Sequence, residues 1–243
     1  MKIEAHLLCW NEKDIMPFVI SHYQSFCDKV IIHDNHSTDG SAELAREMGC
    51  EVIPFGDKTF NDQHNMDVKN SCWKGSDADW VIVADFDELL WLAANKASTL
   101  RWYLELEMVA GQTMVPTTGW QIMSDDMPKE KLTEISNGYY FKNYSKSIIF
   151  NPKKITSIGY GPGAHECSPE GEVNIIEQSP SPLFVLHYKH IGGVQRTIAR
   201  YKDCCKRLSK KNRQMGWGSH NCESASKLRR EWKQRMEKSK PLY

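Results

Sequence analysis

Trp80-Val81-Ile82-Val83-Ala84-Asp85-Phe86-Asp87-Glu88 decides how the rest of this chain is read. Its first five residues are apolar, as in a parallel strand that helices cover on both faces and that therefore shows no polar alternation. Three acids follow at once. In an open α/β sheet the ligand crevice lies beyond the carboxyl ends of the strands, which is where Asp85 and Asp87 emerge. Two carboxylates so close together suit a hard divalent cation that also holds a diphosphate, because Mg²⁺ and Mn²⁺ are usually bound by one or two carboxylates plus phosphate oxygens and water. A competing reading makes the same acids a polar turn that caps a following helix.

Outward from this stretch, strand and helix patterns alternate. Ile3–Trp10, Lys29–His33 and Glu51–Pro54 read as strands, and Ile15–Phe26, Ser41–Met48 and Asn61–Cys72 as the helices between them. Repeated βα units of this size imply a parallel, doubly wound sheet flanked by helices. Each strand runs into polar residues: Asn11 and Glu12 after the first, Asp34, Asn35 and Asp39 after the second, Asp85 and Asp87 after the fourth. Asp34 and Asp39 could accept hydrogen bonds from a base N–H or ribose hydroxyls; equally, any one of these turns can be Asx chemistry ahead of a helix.

Three motifs in this order, Leu7-Leu8-Cys9-Trp10-Asn11-Glu12, Val30 to Gly40 and Trp80 to Glu88, resemble the GT-A glycosyltransferases, in particular the family 2-like and family 92-like branch whose second strand ends in D-N-x-S-x-D. The resemblance implies a Rossmann-like, mostly parallel sheet with C-terminal helices, a nucleotide-sugar donor with UDP favoured, and Mn²⁺ or Mg²⁺ on the donor diphosphate. It makes Asp85 and Asp87 metal residues. It also brings polar residues of the helix at Asp62–Lys69 to the nucleotide, with Gln63, Asn65 and Lys69 as candidates, and a solvated helix face as the alternative.

The second half is less regular. Ser98–Val109 reads as a helix, Thr113–Trp120 as a strand leading to Asp125 and Asp126, and Tyr139–Phe150 and Lys153–Ile158 as two further strands. Gly159-Tyr160-Gly161-Pro162-Gly163-Ala164-His165-Glu166 is no dinucleotide fingerprint, since Pro162 interrupts it and no helix pattern follows; it reads as a flexible loop presenting His165 and Glu166. Strand Leu183–Leu186 delivers His187-Tyr188-Lys189-His190. Lys146-x-Ile148-Ile149, the glycine loop and His187-Tyr188-Lys189 extend the resemblance to about residue 190, and such folds often return a late histidine to the metal, which favours His187 over His190. Inversion, implied by the same resemblance, requires a base for the acceptor hydroxyl. Glu166 ranks first, because a carboxylate is ionised near neutrality without tuning, with His165 and Asp125 behind it.

Charge divides the chain more than composition does. The 31 basic and 31 acidic residues cancel, but Arg196–Lys240 carries fifteen Lys and Arg against four Asp and Glu. Residues 1–195 therefore read as the transferase domain and 196–243 as a basic helical extension packed on it, over Val194–Leu208 and Cys222–Lys238. Its arginines and lysines could neutralise a leaving diphosphate, meet anionic membrane headgroups or bind a lipid-linked acceptor. The eight cysteines show no C-x-x-C pair and no zinc spacing with histidine, Met1–His6 does not begin a signal peptide, and no apolar run reaches the roughly 18 residues of a membrane span. Reduced thiols in a cytoplasmic, possibly membrane-peripheral protein follow, with no disulfide. Two functions compete: a hexosyltransferase of polysaccharide biosynthesis acting on a glycan or lipid-linked acceptor, and a non-catalytic nucleotide- or RNA-binding module. The tail carries no recognised RNA module, which disfavours nucleic acid.

Overall fold

The computed structural model describes residues 1–93, 99–176 and 180–242. The first half folds as its periodicity predicts: β1 (Ile3–Cys9), α1 (Met16–Gln24), β2 (Lys29–Asp34), α2 (Ser41–Glu47), β3 (Glu51–Pro54), α3 (Asp62–Ser71) and β4 (Trp80–Asp85). The strands stand in the order β3-β2-β1-β4 and all pair in parallel, so the fold is α/β with a doubly wound arrangement. β1 is buried along its whole length because helices cover both its faces. Ala5, Leu7, Ile32, Ile82 and Ala84 meet α1 and α2 on one side, whereas His6, His33, Val81 and Val83 face α3 and the segment around Trp73.

Beyond Asp85 the chain departs from the capping reading of the acids, since no helix follows. β5 (Glu88–Leu92) begins three residues later and belongs to a second sheet. The switch is made by Phe86 and Asp87. The Phe86 amide still donates to Leu8 of β1 at 2.9 Å, whereas the Asp87 carbonyl already accepts from Tyr188 in the other sheet at 2.7 Å. Helix α1 braces the junction from behind: the Tyr23 hydroxyl donates to the Glu88 carbonyl at 2.7 Å and accepts from the Leu90 amide.

The remaining elements are α4 (Leu100–Val109), β6 (Thr118–Met123), β7 (Asn137–Tyr140), β8 (Ile149–Phe150), β9 (Ile155–Ser157), β10 (Glu170–Gly171), β11 (Leu183–His190), α5 (Gly193–Arg207), α6 (Lys210–Met215), α7 (Ala225–Lys238) and β12 (Lys240–Pro241). The second sheet runs β12-β7-β6-β11-β5, with β6 and β11 parallel and the other pairs antiparallel. Several predicted bounds change. The strand placed at Thr113–Trp120 starts later, at Thr118, because the segment before it runs against Phe150 and Asn174 instead. The single strand read over Tyr139–Phe150 is two, separated by a 3₁₀ turn at Lys142–Tyr144, and β8 joins the first sheet antiparallel to β4. Ser98, taken as a helix start, lies outside the described residues.

The cysteine reading also requires correction. Cys205 near the end of α5 and Cys222 form a disulfide, with Cα atoms 4.9 Å apart. The intervening chain through α6 folds back on itself, a juxtaposition that linear spacing does not reveal. The other six cysteines are free thiols. No described helix is long and apolar enough to cross a membrane.

Candidate active site

A cleft of about 410 Å³ opens where the carboxyl ends of β1, β2 and β4 meet β11, the glycine-rich loop and the C-terminal helices. Asp85, Asp87 and His187 all line it. The Asp87 carboxylate lies 3.6 Å from His187 Nε2, and its other oxygen is 3.3 Å from the Arg200 guanidinium. The His187 ring is held by Gln121: the amide nitrogen of Gln121 donates to two carbonyls, so its oxygen faces His187 Nδ1 at 3.0 Å and must accept from it. Burial keeps His187 below the usual imidazole range despite the pull of Asp87 and Glu88. A neutral ring with its proton on Nδ1 turns the Nε2 lone pair toward Asp87. Burial would raise Asp87, but the positive charge around it, the Arg200 guanidinium at 3.3 Å above all, holds it low, so an ionised carboxylate faces the imidazole nitrogen. That donor set fits a divalent cation. Tyr144 stacks on the His187 ring at 4.1 Å and limits its rotation.

Asp85 has a different environment. Lys69 of α3 reaches one oxygen at 2.7 Å and Lys146 the other at 3.4 Å. Burial acts to raise its carboxyl, yet the two ammonium groups hold it far below the carboxylate range. Lys146 is itself buried and also pairs with fully buried Glu88 at 2.5 Å, whose second oxygen accepts from the Asp85 amide. Burial would lower Lys146, but Glu88 and Asp85 raise it, so it stays charged. The D-F-D-E run is thus one ion-paired unit, with Asp85 and Glu88 tied to lysines and Asp87 free to face the histidine.

The other nucleotide candidates separate into cleft and frame. Glu12, Asn35 and Asn65 line the cleft. Glu12 makes a bidentate pair with Arg200 at 2.5 Å for each bond; burial pushes its carboxyl up to about 7 against that guanidinium. Asn35 binds the carbonyls of Phe55 and Asp57 and accepts from Arg207 at 2.5 Å. Asn11 and Asp39 do not line the cleft but hold its rim. Asn11, with φ +53°, accepts from the Thr38 amide at 2.7 Å, while Asp39 accepts from Ser41 and from the Lys13 amide. Asp34 is buried, with one oxygen on the Ser37 amide and the other meeting no donor among the described residues. Gln63 points away, bound to Asp67 and Lys211.

Of the three candidate bases, only His165 lines the cleft. Its Nδ1 donates to the Asn143 carbonyl at 2.7 Å, which leaves Nε2 as the basic nitrogen, and burial together with Lys146 lowers its pKa. Glu166 is exposed outside the cleft, and Asp125 accepts from the Trp232 indole at 3.2 Å on the α7 side.

The C-terminal helices complete the enclosure. Arg200 bridges Glu12 and Asp87, and Arg207 lies over the Trp10 ring at 3.7 Å, lowered to about 10 by burial. Trp217, His220 and Asn221 close the opposite wall, beside the disulfide. The basic segment therefore turns two of its arginines inward. Lys146 and Gln121, each central to the site, come from the irregular second half, where local pattern gave them no signal beyond the K-x-I-I run.

No protein-family model matches this chain, and no curated protein does. Solved structures do. Glucosyl-3-phosphoglycerate synthase from Mycobacterium tuberculosis, in complex with Mn²⁺, uridine-diphosphate-glucose and phosphoglyceric acid, is 14% identical over 67% of this chain and 61% of its own, with a TM-score of 0.39. The same enzyme with Mg²⁺ and uridine-diphosphate gives 14%, 67%, 60% and 0.40. Mannosyl-3-phosphoglycerate synthase from Rubrobacter xylanophilus is 18% identical over 51% of this chain and 41% of its own, with a TM-score of 0.33. This chain thus spans less than two thirds of the length of each.

Proposed function

We propose that this protein is a metal-dependent glycosyltransferase of GT-A type that moves a sugar from a nucleotide-sugar donor, UDP-sugar first, to a glycan or lipid-linked acceptor with inversion. The observation that carries the reading is the Asp87 carboxylate facing the lone pair of His187 at 3.6 Å, at the mouth of a parallel sheet and ringed by cations. Asp87 and His187 would hold the ion, with Asp85 beside them, and a nitrogen ligand favours Mn²⁺ over Mg²⁺. Such an ion supplies positive charge to the leaving diphosphate. Lys69, Lys146 and Arg200 add fixed charge on the same wall, where preorganised cations stabilise a developing anion without reorganising. Trp10, with Arg207 over its ring, and Asn35 line the cleft where the base would lie, with Asp34 buried behind them. His165 takes the proton of the acceptor hydroxyl on Nε2, the role first assigned to Glu166.

The test is direct. UDP-, GDP- and dTDP-sugars are screened for slow hydrolysis with Mn²⁺, and UDP–Mn²⁺ binding is measured by calorimetry in the wild type and in Asp87→Ala. Hydrolysis of a UDP-sugar and loss of binding in the variant are expected. Unchanged affinity in a folded Asp87→Ala protein would refute the assignment, and salt-sensitive RNA binding without hydrolysis would favour the non-catalytic module.

A further inference from the structure

On the opposite face of β1 from α1, away from the cleft, His6 and His33 lie side by side under the end of α3. They belong to adjacent parallel strands, and both are buried, at 3% and 4% exposure. Their rings are nearly parallel, 19° apart, with His6 Nδ1 and His33 Nε2 separated by 3.1 Å. Cys72, which caps α3, brings its thiol to the same point, and the three donor atoms lie within 4.8 Å of one another. Burial holds both imidazoles neutral, near a pKa of about 4.

The hydrogen-bond arithmetic of this cluster does not close with protons alone. If the two rings share a hydrogen bond, the second nitrogen of His6 remains buried, and it has no hydrogen-bond partner among the described residues. Its nearest acid, Glu4, is 3.9 Å away and already engaged with Ser76 and Lys2. A buried polar nitrogen left so costs about 1–3 kcal/mol. A cation between the rings changes the tautomer: both facing nitrogens give lone pairs, and the proton of His6 moves to Nε2, toward Glu4. Closing the 3.9 Å gap to Glu4 on metal binding would give the carboxylate–histidine–metal arrangement in which an outer acid orients a ligand.

We propose that His6, His33 and Cys72 form a second metal site, selective for Zn²⁺, that pins the end of α3 to β1 and β2. Two imidazoles and a thiolate are the donor set of zinc rather than of Mg²⁺ or Ca²⁺. Bond lengths of about 2.0–2.1 Å in a tetrahedron put two nitrogen ligands roughly 3.3 Å apart, close to the 3.1 Å found here. Binding replaces the Cys72 S–H bond with an S–Zn bond, and the proton leaves to solvent; no oxidant or reductant takes part. Because α3 also carries Asn65 and Lys69 into the cleft, the ion fixes one wall of the active site from outside it.

The experiment separates this ion from the one proposed in the cleft. Asp87→Ala protein, stripped with chelator under a thiol-free reductant, is loaded with Zn²⁺, passed over a sizing column and assayed for metal; a parallel sample takes Co²⁺. One tightly held zinc per chain, a thiolate-to-cobalt charge-transfer band, and a higher melting temperature with zinc are expected. Cys72→Ala in the same background should lose the band and weaken zinc affinity by at least tenfold, and His33→Gln should do likewise. No retained zinc and no thiolate band in the folded Asp87→Ala protein would overturn the proposal, as would undiminished affinity in Cys72→Ala. If the histidine variant does not fold, the cobalt spectrum and the Cys72 variant decide alone.

Discussion

Gln121 does not line the cleft, yet it determines which nitrogen of His187 carries the proton. Removing such a partner typically costs 10–100-fold in metal affinity. Gln121→Leu should therefore weaken Mn²⁺ binding by about that factor, measured by calorimetry, with Asp87 and His187 intact. His165 gives a second prediction at this scale. Gly163 has φ +69°, and a Cβ there would come within 2.6 Å of His165 Nε2, so Gly163→Ala displaces the ring. His165→Ala should lower the transfer rate by about 10²–10⁴, and Gly163→Ala should reproduce much of the loss while donor affinity stays near wild type. Because burial and Lys146 depress the pKa of His165, the acid limb of kcat/KM should lie below the usual imidazole value of about 6.5. Loss of rate in Glu166→Gln with normal rate in His165→Ala would return the base to the carboxylate. The strand-end acids were legible because burial pattern and position give them away within nine residues. Gln121, Lys146 and Arg200 were not legible as partners, since their roles exist only where segments distant in sequence converge.

Among the elements, β11 joins the second sheet to the C-terminal helices through His190. That side chain is 2% exposed; its Nε2 donates to the Tyr201 hydroxyl at 3.1 Å, and Arg235 faces its Nδ1 at 3.5 Å, with Lys189 and Trp232 nearby. Burial, then Lys189 and Arg235, hold the imidazole well below its ordinary range. The unfolded chain takes up a proton near pH 6.5 that the folded chain refuses, so this contribution to stability is complete above that pH and is lost as pH falls. Urea unfolding should show a slope of about 1.4 kcal/mol per pH unit from this group below pH 6. His190→Gln should flatten that part of the curve. The βα units were readable because each carries its own periodicity. β5 was not, as a strand separated from the one before it by only two residues leaves no turn for a sequence pattern to mark, and the split of Tyr139–Phe150 depends on β8 choosing the other sheet.

At the scale of the molecule, the basic segment after residue 195 is part of the site rather than an attachment to it. α5 supplies Arg200 and Arg207 to the cleft, and β12 closes the edge of the second sheet against β7. Charge counting found the segment but not its direction, because only packing decides whether an arginine faces water or an acid. The two-residue passage from β4 to β5 has a consequence of its own. Asp87 sits on that link and its carbonyl accepts from the Tyr188 amide, while the next residue, Glu88, pairs with His187, so the gap between Asp87 and His187 works as a caliper whose arms are β5 and β11. Mg²⁺ demands a near-ideal octahedron at 2.0–2.1 Å, and larger ions tolerate a wider and less regular set. In the proposed site the choice of ion would be gauged by how β5 and β11 pair, and repacking Leu90 against Val185 should alter the ratio of Mn²⁺ to Mg²⁺ affinity without changing a single donor atom.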